Sequence, residues 1–381
     1  MPDCNQNQVP DTCDIVEGLD DDCDANGTLD RCDIFLNGVT DDNQNCTPDS
    51  CEYAVGDFGL DGAIGGDDLA FLLSLWGTDD AFADLSNDGV VDGPDIAMLL
   101  SSWGETPYAS GNCAVLPWAT TLTYAPDPAV VTNATLRSAI IATCFPWRVR
   151  DNSSQIEMLL VPPGTFNMGC SASNQYGCGS SENPVHQVTL TNAYYTGRYE
   201  VTQAQWQARM GSNPSYFQGY ADSPSRPVEQ VSWNTIQNFL SATGLRLPTE
   251  AEWEFAYRAG TTTAFHSMPG YPSGANDDNQ IGIIAWHGTN SDSRTHVIGG
   301  MAANALGLHD LCGNVWEYVN DWDGLYLPAA QVNPTGPLSG TAVVMRGGCW
   351  SDAFYLRSSS HGGYSTNLPE YRVGFRVART P

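Results

Sequence analysis

Two short stretches near the C-terminus constrain the fold more than any other part of the chain. Gly307-Leu308-His309-Asp310-Leu311-Cys312-Gly313-Asn314-Val315-Trp316-Glu317 reads as a tight Gly-Asn turn leading into a strand that carries Trp316 on one face. Arg346-Gly347-Gly348-Cys349-Trp350 reads as a strand whose paired glycines let another backbone approach closely. Around them the sequence is rich in Gly, Asn, Ser and aromatic residues, a composition suited to short strands joined by long ordered loops.

Three helices are readable upstream. Thr202 N-caps a helix that runs through Met210 and stops at Gly211, and Ser232 caps one through Ala242 that stops at Gly244. Thr249 and Glu252 form a capping box for a third, ending at Gly260. Glu250 and Glu254 share a face of this helix and read as an exposed acidic surface, a simpler account than paired hydrolytic carboxylates.

The first hundred residues follow a different logic. Residues 3–14, 22–33 and 41–52 repeat at a period of 19, each a twelve-residue loop with oxygen-bearing side chains at loop positions 1, 3, 5, 9 and 12. Alternate side chains of such a loop turn inward around a hard cation that takes six to eight oxygens. The expected calcium ligands are Asp3, Asn5, Asn7, Asp11 and Asp14; Asp22, Asp24, Asn26, Asp30 and Asp33; and Asp41, Asn43, Asn45, Asp49 and Glu52. Cysteine positions suggest closure of each loop as Cys4–Cys13, Cys23–Cys32 and Cys46–Cys51. There is almost no apolar material here, so metal and disulfides must replace a core. Residues 1–53 resemble thrombospondin-type-3-like acidic repeats.

Residues 57–68 and 84–95 are a second pair of loops, 27 apart, and each runs into an apolar helix, 69–77 and 96–104. This unit, 54–106, resembles a dockerin. In its second loop Asp84, Ser86, Asp88, Asp92, Asp95 and the Val90 carbonyl make a complete ligand set around a turn at Gly89. The first loop keeps Asp57, Asp61 and Asp68 but has Gly59 and Gly65 where ligands are expected, which weakens its site. The stripe of Leu and Trp would pack the two helices together and leave an outer face for another protein chain, a second copy included. A head-to-tail contact that does not close generates a filament. Residues 107–154 read as an adapter with one helix, about 134–142, flanked by Cys113 and Cys144, which are candidates to pair. Asn133-Ala134-Thr135 and Asn152-Ser153-Ser154 match glycosylation acceptors.

The chain carries 44 acidic against 15 basic residues, a formal net charge of −29, so nucleic acid and anionic membranes are disfavoured partners. Twelve cysteines, largely in close pairs and without a CxxC, point to an oxidising, extracellular or cell-surface setting rather than to zinc. No apolar run approaches membrane-spanning length, and Met1-Pro2-Asp3-Cys4 does not read as a signal peptide.

The two C-terminal stretches resemble the core of the formylglycine-generating-enzyme/sulfatase-modifying-factor family. Met158-Leu159-Leu160-Val161-Pro162-Pro163-Gly164, Tyr199-Glu200-Val201-Thr202, Arg246-Leu247-Pro248-Thr249-Glu250-Ala251-Glu252-Trp253 and Val373-Gly374-Phe375-Arg376-Val377 follow in the family's order. The resemblance covers 155–381 and implies an α+β, C-type-lectin-like fold with little regular secondary structure. It also implies a calcium site formed by the side chains of Asp310 and Glu317 and the carbonyls of Gly313 and Val315. The family's oxidases bind copper through two cysteines five residues apart, and the matching positions here are Asp352 and Arg357, so that oxidase activity is expected to be absent. Cys312 and Cys349 are expected to form a structural disulfide, and Cys170 and Cys178 to close a surface loop. His186, His266, His287, His296, His309 and His361 show no ligand-like pairing and read as structural. Sugar-binding lectin triplets are absent. The expectation is a non-catalytic, calcium-dependent assembly protein, with a ligand-binding or enzymatic module using a groove near Trp350, Asp352 and Arg357 as the alternative.

Overall fold

A computed structural model describes residues 64–78, 83, 85, 86, 89–101, 103, 116–143, 145–172, 174–352 and 354–381. The expected ligands Asp3 to Glu52, Asp57, Asp61, Asp84 and Asp88, and the cysteines at 4, 13, 23, 32, 46, 51, 113 and 144, lie outside the described residues. The chain divides into two compact units, residues 1–114 with 137–145, and 115–136 with 146–381.

In the first unit the duplicated helices are α1 (Gly66–Ser74) and α2 (Gly93–Ser101). Their shared core is Ile64, Leu72, Ala83, Val91 and Leu99, with Leu69, Leu75, Leu85 and Ile96 packed against it. Leu72 and Leu99 occupy equivalent positions 27 apart, so the sequence duplication becomes a packed pair. Phe71, Leu73, Trp76, Met98, Leu100 and Trp103 remain exposed, so the stripe of Leu and Trp is divided between core and surface. Asp95 is buried and accepts hydrogen bonds from the amides of Ser86 (2.8 Å) and Asp92 (2.6 Å). Burial opposes ionisation, but these bonds hold its carboxyl below the usual aspartate range. Asp68, its counterpart, accepts from the Gly65 amide.

The second unit is built on three sheets. A five-stranded sheet has the order β1-β2-β3-β6-β12: Ala119–Thr123, Arg148–Asp151, Glu157–Val161, Tyr194–Gly197 and Ala378–Arg379. Strands β1 and β2 lie in the stretch expected to be an adapter, so the sheet reaches N-terminal of residue 155; Val149 alternates inward and makes β2 part of the core. The second sheet has the order β10-β9-β7-β11: His361–Tyr364, Val343–Arg346, Trp316–Trp322 and Val373–Phe375. The third joins β4 (Gly164–Met168), β5 (His186–Leu190) and β8 (Gln331–Val332). Helix α3 spans Ala134–Ile141, close to its expected bounds.

The three capped helices form as their sequences specify. Helix α4 (Gln203–Met210) is capped by Thr202, α5 (Trp233–Thr243) by Ser232 and α6 (Glu250–Arg258) by Thr249. In α6 the Glu252 amide donates to Thr249 Oγ1 (3.1 Å) while the Thr249 amide donates to Glu252 Oε2 (2.8 Å), satisfying two orphan donors reciprocally. Gly211 and Gly244 terminate α4 and α5 with positive φ, whereas α6 ends one residue earlier than expected, on Ala259 at φ 45°. Behind these helices Trp206 stacks on Phe239 and both meet Phe375 of β11 edge-on.

Candidate functional site

The two C-terminal stretches meet in the second sheet, where β7 and β9 run antiparallel with Glu317 opposite Arg346. The glycine pair does not lie within the strand: β9 stops at Arg346, and Gly347 and Gly348 turn the chain with φ of 92° and 71°. A side chain at Gly347 would meet the Leu311 carbonyl at 2.9 Å, so the close approach expected from the glycines is with the turn that precedes β7. That turn places Gly313 at φ 84° and Asn314 at φ 59°. Asn314 donates from Nδ2 to Glu200 Oε2 (2.8 Å), accepts the His296 amide at Oδ1 (2.9 Å) and receives the Trp350 amide at its carbonyl (2.8 Å). The segment after the glycine pair is thus fastened to the Gly-Asn turn.

Above this junction lies an aromatic face. Phe217 meets Trp350 edge-on at 5.6 Å, and Tyr371 packs beside Trp350 at 6.0 Å and Tyr216 at 5.4 Å. With Tyr220 and Ser293 these rings line a cavity of about 710 Å³. Tyr216 is 68% exposed, and the guanidinium of Arg226 sits 4.2 Å from the Tyr220 ring. Buried Glu229 anchors the face from below, accepting the amides of Tyr216 and Phe217 at 2.9 Å each; burial pushes its carboxyl up to about 7. Sequence reading missed Tyr216, Phe217, Tyr220 and Tyr371; the aromatic density of 216–220 was the signal for the first three, and Tyr371 had none.

Asp352 and Arg357 do not share this groove. Asp352 Oδ2 accepts the Cys349 amide at 3.0 Å. Arg357 is fully buried and pairs bidentately with Glu182, both contacts at 2.8 Å. Its charge is committed to the interior, which corrects the expectation that it lines a groove.

Cys170 and Cys178 form the expected disulfide. Cys312 and Cys349 do not pair: both are buried free thiols with separate partners, Cys312 Sγ donating to the Leu356 carbonyl and Cys349 Sγ lying 3.2 Å from Ser351 Oγ. Burial pushes each thiol up to about 12, so neither is a thiolate at neutral pH.

The two side chains read as calcium ligands at the turn, Asp310 and Glu317, are both buried. Both Glu317 oxygens are held by Arg376, and Oε2 also accepts from Trp253 Nε1 (2.7 Å). Asp310, at φ 58°, accepts the Gly299 amide, and burial pushes its carboxyl up to about 6. The carbonyls of Gly313 and Val315 belong to the same turn, but among the described residues no group of three or more His, Cys, Asp or Glu side chains is arranged to hold a metal ion. Asp310 Oδ1 is buried with no hydrogen-bond partner among the described residues.

The acidic face expected on α6 is also internal. Glu254 is fully buried between Arg258 and Arg346, and Glu250 lies 3.2 Å from Arg346 Nε. Burial alone would raise Glu254, but the two guanidinium groups hold it below the ordinary range. His186, His266, His296, His309 and His361 each set a ring nitrogen against a backbone carbonyl, consistent with structural roles.

Residues 147–381 match the sulfatase-modifying factor enzyme 1-like domain. Among curated relatives, a formylglycine-generating enzyme of Thermomonospora curvata is 35% identical over 191 residues, covering 48% of this chain and 58% of that enzyme. The formylglycine-generating enzyme of Bos taurus is 31% identical over 41% of this chain and 44% of its own length. The chain thus spans about half the length of these relatives. Among solved structures, Treponema denticola variable protein 1 aligns with a TM-score of 0.52 and 29% identity, over 59% of this chain and 95% of that one. PvdO from Pseudomonas aeruginosa aligns at 0.53 and 26%, over 61% and 98%. Fold, motif order and family match agree: the chain belongs to the family of sulfatase-modifying factor enzyme 1-like domains.

Proposed function

We propose that this chain is a non-catalytic, extracellular assembly or attachment protein, in which the family domain offers its aromatic face to a partner and the N-terminal modules provide a calcium-dependent attachment. The observation that carries the non-catalytic reading is Arg357. Where the family resemblance would require a copper-binding thiolate, the chain has a guanidinium locked onto Glu182, and Asp352 at the companion position caps the Cys349 amide. The two free thiols of the domain are buried and protonated at neutral pH. Attachment is supported by the exposed apolar side chains Phe71, Leu73, Met98 and Leu100 on α1 and α2, with Trp76 and Trp103 just past their ends, and by the inward-turned Asp95 of the second loop. Calcium, if held there, would draw on Ser86, Val90, Asp92 and Asp95 together with loop residues outside the described ones. A second reading, a surface-anchored ligand-binding or enzymatic module, is favoured by the aromatic cavity itself.

The test is twofold. Incubation with copper and a cysteine-containing sulfatase-type peptide should give no aldehyde product by mass spectrometry and no stoichiometric copper; either one overturns the non-catalytic reading. Light scattering and electron microscopy in millimolar calcium should show large oligomers or fibres that dissolve in excess EGTA. A calcium-replete monomer rules out self-assembly and leaves the surface-anchored binder.

A further inference from the structure

A second cavity, away from the aromatic face, has a composition that the proposed function does not use. It encloses about 280 Å³ and is lined by Met168, Asp321, Trp322, Leu325, Tyr326 and Pro337 among others. Its floor is acidic and its walls are apolar. Asp321 is 3% exposed; Oδ2 accepts the Glu250 amide at 2.9 Å, and Oδ1 accepts from no group among the described residues. The neighbouring ion pairs do not supply its counter-charge. Arg346 is engaged by Glu254 and lies beside Glu250, Glu254 also holds Arg258, and Glu250 accepts the Tyr326 hydroxyl at 2.8 Å. The two guanidinium groups are thus taken by Glu250 and Glu254, and among the described residues Asp321 makes no ion pair.

We propose that this cavity binds an alkylammonium group, its charge seated on Asp321 and its methylene stem lying between Trp322, Tyr326 and the leucines of the rim. The aromatic walls suit a cation as well as a hydrocarbon stem. Leu325 and Leu327 are 85% and 61% exposed, leaving apolar surface at the mouth for whatever carries the amine. The shared chemistry fits either a lysine side chain of a protein partner or a free diamine.

Electrostatics give the site a pH signature. Burial, and then the Glu250 carboxylate, push Asp321 up to about 8, so the empty site holds a neutral carboxylic acid at neutral pH. The charged and titratable groups facing it are Glu250 and Glu252 from α6, Arg346 from β9, His186 from β5 and Tyr326 from the following loop, with His361 of β10 behind Glu250 at 3.7 Å. A cation binds the ionised form, so apparent affinity should rise with pH, by roughly 100-fold between pH 6 and pH 9.

The experiment is calorimetric titration of the full chain with N-acetyl-lysine methylamide and with cadaverine, against the neutral isosteres N-acetyl-norleucine methylamide and 1-pentanol. Both amines should bind at least tenfold more tightly than their isosteres at pH 9, with the preference fading toward pH 6. Tighter binding of the lysine derivative supports a protein-borne lysine, and tighter cadaverine a free amine. Asp321→Asn keeps an acceptor for the Glu250 amide and should abolish the amine preference; Leu325→Ala should weaken amine and isostere alike. Equal binding of amine and isostere, no binding of any probe, or an unchanged preference in Asp321→Asn overturns the proposal. Should that variant not fold, a flat pH profile of the unaltered chain does so.

Discussion

Gly313→Ala is expected to cost the second unit about 4 kcal/mol or more, because a conformational and a steric penalty act together. Gly313 sits at φ 84°, where a residue with a Cβ pays about 1–2 kcal/mol. The added carbon would also lie 2.3 Å from the Trp286 carbonyl oxygen, which no real contact permits, so the backbone must move. That carbonyl accepts the Asn314 amide (2.9 Å), and the Gly313 amide donates to the Gly347 carbonyl (2.9 Å), so displacement breaks the link between the Gly-Asn turn and the glycine pair. Gly211→Ala is the control: φ is 78° and nothing lies within 4 Å, so only the conformational penalty of about 1–2 kcal/mol applies. Denaturant melts of both variants separate the terms, and a Gly313→Ala loss no greater than that of Gly211→Ala would refute the steric argument. Because Trp350 hangs from the Asn314 carbonyl, the variant should also disturb the aromatic face.

Local chemistry was legible in the sequence and long-range pairing was not. Thr202, Ser232 and Thr249 specify helix starts because a cap needs only its own first turn, and each donates and accepts as expected. The α+β fold followed from motif order, and the Cys170–Cys178 loop from close spacing. The fate of Glu254 depended on Arg346, 92 residues away, so its burial had no local signal and it read as exposed. Arg376 pairs with Glu317, 59 residues away, by the same kind of distant contact, and Cys312 and Cys349 have separate hydrogen-bond partners. The aromatic face is assembled from three segments, around 216–220, 350 and 371, none of which announces it alone.

Arg357→Ala is expected to lower stability by about 3–5 kcal/mol at neutral pH, because it leaves the Glu182 carboxylate buried without its counter-charge. Glu182 is 4% exposed and also accepts from Ser359 Oγ (2.6 Å) and the Gly179 amide (3.1 Å). In the intact chain burial would raise its carboxyl, but Arg357 and Ser359 outweigh burial and hold it below the ordinary glutamate range. A carboxyl lowered by folding contributes stability at neutral pH that is lost as pH falls through its folded value. Without the guanidinium the balance reverses: burial dominates, the folded value rises above the unfolded one, and the variant should regain stability as pH falls from 7.5 toward 5. Arg357→Ala should therefore be most damaging at neutral pH, whereas the pair Arg357→Ala with Glu182→Gln should recover much of the loss and show no such trend. Melts at pH 5 and 7.5 decide it: a pH-independent deficit, or no rescue by Glu182→Gln, means the pair is not what holds this region. The same reasoning bears on catalysis. Arg357→Cys, which would restore a cysteine at the copper-ligand position, strands Glu182 equally, so a gain of copper binding by that change would require Glu182 to be replaced as well.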